Sequence, residues 1–191
     1  MEIKDFTLKY VHELKAHLDA IDTEIVAQIV EEIEKVSKAG SKFYVIGNGG
    51  SSATASHWAN DFAIGLKRRG ILTIDMVSLG DNAAVTSAIA NDIGYENIFY
   101  MQLKDVLKPE DVILAISCSG NSPNIVTAVE YAKKVGSTVI GASGFDGGKL
   151  KQLSDIKFHV DTQKDEYGLV EDIHMILDHI IYSYYIQKAH K

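Results

Sequence analysis

The chain has 191 residues, 46% of them apolar, with 15 glycines and only two prolines, Pro109 and Pro123. That suits one compact domain with many tight turns and excludes a linker-rich or low-complexity chain. The net charge is −7, and the densest basic cluster is Lys67-Arg68-Arg69, so the basic stripe of a bulk nucleic-acid binder is missing.

A lone cysteine, Cys118, rules out an intrachain disulfide and fits a reducing compartment. No apolar run approaches the ~18–20 residues of a membrane span. The opening MEIKDFTLKY also lacks a signal peptide's apolar centre. The expectation is a cytoplasmic protein with no membrane and no nucleic acid among its partners.

In chain order, residues 5–39 carry helical periodicity in Phe6, Val11, Leu14, Leu18, Ile21, Ile25, Ile29 and Ile33. They predict two helices, broken near Asp19 to Asp22 and ending at Gly40. Lys42 to Ile46 reads as a buried strand feeding a glycine turn and then a helix. The unit recurs: a strand over Leu72 to Leu79 precedes a helix after Asp81, and a strand over Asp111 to Ser117 precedes a helix from Pro123 to Val135. Ser137 to Ser143 is a fourth strand, followed by a glycine-rich turn at Gly144 to Gly148. Ile156 to Val160 is a fifth, and a helix from about Leu169 to Ala189 closes the chain. This alternation predicts an α/β fold, a parallel sheet sandwiched between helices in three layers. Ligands of such sheets bind beyond the carboxyl ends of the strands.

Two turns stand at such ends. Gly47-Asn48-Gly49-Gly50-Ser51-Ser52 lets a ligand approach the main chain, and Ser51 or Ser52 can cap the helix that follows. A ligand-free tight connection would read the same way. Its spacing does not fit a dinucleotide fingerprint. The second turn, Ser117-Cys118-Ser119-Gly120-Asn121-Ser122-Pro123, crowds three hydroxyls around one helix start. Pro123 suits the first helical position and Ser122 the cap. Capping needs one hydroxyl, so the others point to a ligand. Nothing marks a partner that would make Cys118 a nucleophile; it reads as a small residue filling the turn.

His57 and Asp61, at i and i+4, share one helix face, a spacing common to metal ligands and to ordinary helix pairs. Glu171 and His179 lie eight residues apart, a rise of roughly 12 Å on a regular helix. Meeting at one ion requires a bent helix start or a neighbouring subunit. His174 and Asp178 are nearer neighbours of Glu171 and read as a buried polar network. His12, His159 and His190 read as surface or packing residues.

The ordered set GNGGS at 47–51, His57, IAND at 89–92, SCSGNSPN at 117–124, DGGKL at 146–150 and EDIH…DH at 171–179 resembles the sugar isomerase (SIS) domain family. Within it the likeness is to phosphoheptose isomerases, which convert sedoheptulose 7-phosphate to D-glycero-D-manno-heptose 7-phosphate. The resemblance implies a flavodoxin-like, five-stranded parallel sheet over residues 41–191, with an N-terminal helical segment, 1–40, serving oligomerisation. It implies a homotetramer with active sites between subunits. It implies sugar-phosphate contacts from Asn48, Gly49, Gly50, Ser51, Asp61, Asn91, Asp92, Ser117, Cys118, Ser119, Ser122 and Glu171. It also implies a zinc ion on His57, Asp61, Glu171 and His179, with Asp61 as catalytic base and His179 as acid. Asp61 replaces the usual Glu, one methylene longer, and Glu171 replaces a Gln. A non-catalytic relative, acting as sugar-phosphate sensor or as scaffold for a replication initiator, is the alternative. Retention of His57, His179 and a carboxylate at 61 weighs toward the enzyme.

Overall fold

The computed structural model describes residues 2–190. Two helices come first, α1 (Ile3–Asp19) and α2 (Thr23–Ala39), broken where expected. The Asp22 carboxylate accepts from the amides of Glu24 and Ile25 and so caps α2. The strands are β1 (Lys42–Gly47), β2 (Asp75–Ser78), β3 (Val112–Ser117), β4 (Thr138–Gly144) and β5 (Ile156–Val160). Between and after them run α3 (Gly50–Ala59), α4 (Ala83–Ile93), α5 (Tyr100–Leu103), α6 (Pro123–Val135), α7 (Gly148–Leu153) and α8 (Tyr167–Ala189).

All strands pair in parallel, in the order β2-β1-β3-β4-β5. The chain reverses its direction of travel across the sheet between β1 and β3, and the crevice at that switch point is where such sheets take ligands. Every residue of β3 is buried, as a central parallel strand covered on both faces requires. Alternate side chains feed two cores. Phe43, Val45, Leu114 and Ile116 meet α2, α3 and α8 through Ile29, Ile33, Trp58, Ile173 and Leu177. Tyr44, Ile46, Ile113 and Ala115 meet α5 and α6 through Leu103, Ile125, Val129 and Ala132.

Three details depart from the sequence reading. The edge strand β2 is shorter than Leu72 to Leu79, because it has only β1 to pair with, over four residues. Gly49 is the residue before α3, so Ser51 and Ser52 lie inside the helix and neither caps it. The turn after β4 leads into α7, a six-residue helix that the glycines masked.

Candidate active site

β1 and β3 end side by side, Gly47 opposite Ile116, and the turns beyond them enclose a cavity of about 180 Å³. Asn48, Ser51, Ser117, Cys118, Ser119, Ser122, Tyr167 and Glu171 are among its lining residues. Ser122 precedes Pro123 at the start of α6, yet its hydroxyl makes no cap hydrogen bond and lies 3.5 Å from the Ser117 hydroxyl. The Ser117 oxygen accepts from the Gly120 amide at 3.2 Å. These hydroxyl protons stay available at the positive end of a helix, an arrangement suited to an oxyanion. Gly120 holds φ +61°, and a Cβ there would fall 2.0 Å from the Gly147 carbonyl oxygen, so only glycine lets the β3 and β4 turns close on each other.

The two turns are tied by a reciprocal amide pair. Asn48 Nδ2 donates to Asn124 Oδ1 at 2.9 Å, Asn124 Nδ2 donates back to Asn48 Oδ1 at 2.7 Å, and the Tyr95 hydroxyl donates to Asn48 Oδ1 at 3.0 Å. Glu171 leans over the first turn. A Cβ on Gly50 would fall 2.4 Å from either of its carboxylate oxygens. The start of α3 therefore already faces a carboxylate of this chain. Burial, then the charge of Glu171, pushes the Cys118 thiol up to about 11, so it stays protonated and is no nucleophile.

α3 and α8 both run from this cavity to a second group of side chains. α3 continues into a π-helical stretch, Asn60–Leu66, that carries Asp61; such stretches recur at functional sites. His57 Nε2 stands 3.5 Å from Asp61 Oδ2, 3.0 Å from His179 Nε2 and 3.8 Å from Asp178 Oδ2. One donor atom from each of the four residues lies within 4.8 Å of the others. A tetrahedron with bonds of about 2.1 Å has edges of about 3.4 Å, so the spacing and the donor types both fit a divalent cation such as zinc. Asp178 is wholly buried, and among the described residues neither of its oxygens has a hydrogen-bond partner. Burial, then the charge of Asp61, pushes its carboxyl up to about 8.

Comparison with known proteins agrees with this fold. A family model described as the SIS domain matches residues 9–144. The chain belongs to the SIS domain family. It is 34% identical over 184 residues to a phosphoheptose isomerase of Trichlorobacter lovleyi, covering 92% of each chain. It is 35% identical over 180 residues to one of Helicobacter pylori strain P12, covering 93% of this chain and 90% of the relative. The solved phosphoheptose isomerase of Neisseria gonorrhoeae superposes with a TM-score of 0.85 at 26% identity, covering 97% of both chains.

Of the residues expected from the SIS resemblance, Asn48, Ser51, Ser117, Cys118, Ser119, Ser122 and Glu171 line the cavity. Gly49 and Gly50 do not line it; they stand at the start of α3, where Gly50 lies against Glu171. Asn91 and Asp92 do not line it; they sit exposed on α4, a helix with no buried residue. Three of the four expected metal ligands, His57, Asp61 and His179, converge. Within one chain Glu171 does not join them, because α8 is helical from Tyr167 through His179 and the roughly 12 Å rise between the two residues stands. Asp178 occupies the fourth place, where the sequence reading had paired it with His174. His174 instead places Nε2 3.4 Å from the Ser143 carbonyl.

Proposed function

We propose that this protein, a phosphosugar isomerase, interconverts sedoheptulose 7-phosphate and D-glycero-D-manno-heptose 7-phosphate by proton transfer through an enediol. The observation that carries the reading is the distance between its two groups of side chains. Ser51 and His57 are six residues apart on α3, about 9 Å of rise, and Glu171 and His179 are about 12 Å apart on α8. An extended seven-carbon sugar phosphate spans about 10 Å from phosphorus to C1 by ordinary bond lengths. With phosphate on Ser117, Ser119 and Ser122, the C1–C2 end reaches Asp61 and His179. The start of α3, which faces Glu171, is left to the sugar hydroxyls.

Asp61 removes the C1 proton of the ketose and returns it to C2, while His179 moves the proton between the two oxygens. A zinc ion on the His57 cluster, when bound, would supply Lewis-acid polarisation of the carbonyl oxygen, and His179, with Nε2 turned to the metal, would keep only its Nδ1 proton to exchange. The reading includes a cytoplasmic homotetramer with shared active sites. α1 has no buried residue and exposes Ile3, Phe6, Leu8 and Val11, and α4 is equally uncovered. Such faces suit other copies of the chain, with Asn91 and Asp92 delivered across the interface. No helix among the described residues is long and apolar enough to cross a membrane.

The test is to offer the purified protein sedoheptulose 7-phosphate beside shorter ketose phosphates, with and without added zinc, and to follow aldose formation by NMR. Turnover that favours the heptose is expected. Tight phosphate-ester binding with no turnover of any sugar would move the chain to the sensor or scaffold reading.

A further inference from the structure

Asp178 is the member of the His57 cluster that the family resemblance did not supply. Its carboxylate has no exposed surface and no hydrogen-bond partner among the described residues. A lone charged group in that position is costly unless a cation or a proton answers it. Its neighbours include Asp61, which can answer it only by sharing a proton, and His57, whose Nε2 is 3.8 Å away and is turned toward His179 as well. Asp178 enters from the buried side of α8, while His179 enters from the exposed side.

Glu171, by contrast, has a post elsewhere. It lines the serine cavity and lies against Gly50, where the positive end of α3 favours a carboxylate. Two neutral imidazoles and two carboxylates balance a divalent cation to zero net charge, the combination that a half-buried centre tolerates best.

We propose that Asp178, rather than Glu171, is the fourth ligand of the metal centre, and that Glu171 serves the sugar in the serine cavity. This rests on reading His57, Asp61 and His179 as a metal centre. It follows that one chain by itself supplies four protein ligands. Glu171, an acceptor without protons to give, is then placed to take hydrogen bonds from sugar hydroxyls.

The experiment strips the full-length protein with a chelator and titrates it with cobalt(II) and zinc(II) alone, with no sugar present. Cobalt d–d absorption reports the ligand set, and competition with a chromogenic chelator reports zinc affinity. Asp178→Asn is expected to weaken zinc binding by at least about tenfold and to change the cobalt spectrum. Glu171→Gln is expected to leave both unchanged while raising KM for the sugar phosphate. Asp178→Leu, which removes the buried charge, is expected to melt no lower than wild type in the metal-free state, so a lost cobalt signal is not lost folding.

Loss of metal in Glu171→Gln with retention in Asp178→Asn would overturn the assignment, as would a wild-type cobalt spectrum in folded Asp178→Leu. A wild-type chain that takes up no cobalt or zinc overturns it too. The isomerase reading is then judged separately by turnover without added metal.

Discussion

His57 and His179 are 122 residues apart in sequence, yet their rings meet edge-on with the Nε2 atoms 3.0 Å apart. At that distance one nitrogen must donate while the other accepts, or both must face a common cation. The packing of α3 against α8 creates this meeting. His179 is exposed, so removing its ring costs the fold little. His179→Ala is expected to lower kcat by roughly 10²–10⁴-fold with a melting temperature close to wild type. Undiminished turnover would discard the acid role.

The contact between Glu171 and Gly50 gives a second test, because the glycine leaves room for the carboxylate. In Gly50→Ala the new Cβ would fall 2.4 Å from both oxygens, and the glutamate must swing away. Alanine suits a helix better than glycine by about 1 kcal/mol, so stability should hold or rise. Displacing a positioned group by an ångström or so can cost about 10²-fold in kcat/KM. The same substitution made on Glu171→Ala should cost almost nothing further. Fully additive losses in the two steady-state measurements would show that Gly50 acts by another route.

The sheet was legible in the sequence because β-branched runs ending in glycine or serine, alternating with helical periodicity, leave few other architectures. The serine turn was legible for a similar reason: Ser117, Ser119 and Ser122 outnumber the caps that one helix needs. Asp178 was not legible as part of the His57 group. Sequence spacing places it beside His174 as readily as beside His57, and only the packing of α8 on α3 decides between them. The π-helical stretch at Asp61 left no local signal either, since its residues fit an ordinary helix equally well. Glu171 was assigned to the right helix, but the regularity of that helix keeps it from the metal group of its own chain.

Asn124 supports the cavity without lining it. It is 1% exposed, and its amide both donates to and accepts from Asn48. Asn124→Ala leaves one face of the Asn48 amide unpaired, at a cost of about 1–3 kcal/mol. It also frees the β1 turn from the β3 turn. Lower stability in urea is expected, together with a raised KM and a nearly unchanged kcat, since no reacting atom is touched. An unchanged KM would mean that the Tyr95 hydroxyl bond alone holds Asn48.

His174 sets a pH dependence with a definite sign. Its Nε2 faces a carbonyl, so that nitrogen carries the proton and Nδ1 is the bare, buried and unpartnered one. Burial lowers the imidazole from its usual value to about 4, against an opposing pull from the Ser143 carbonyl, and nearby His159 adds to the lowering. A lowered histidine is neutral in the folded chain while the unfolded chain takes up a proton from about pH 6.5 downward. The unfolded state therefore binds more protons across that window, and folding stability falls as pH drops from 6.5 toward 4. The loss amounts to about 3 kcal/mol once both limits are passed. Carboxylates add their own acid sensitivity to any variant, so the reading is the difference between wild type and His174→Gln. Urea unfolding of both chains at stepped pH should show the steeper fall in wild type, confined to that window. Parallel curves would mean that the folded protein accommodates a charged ring at position 174, contrary to its burial against β4.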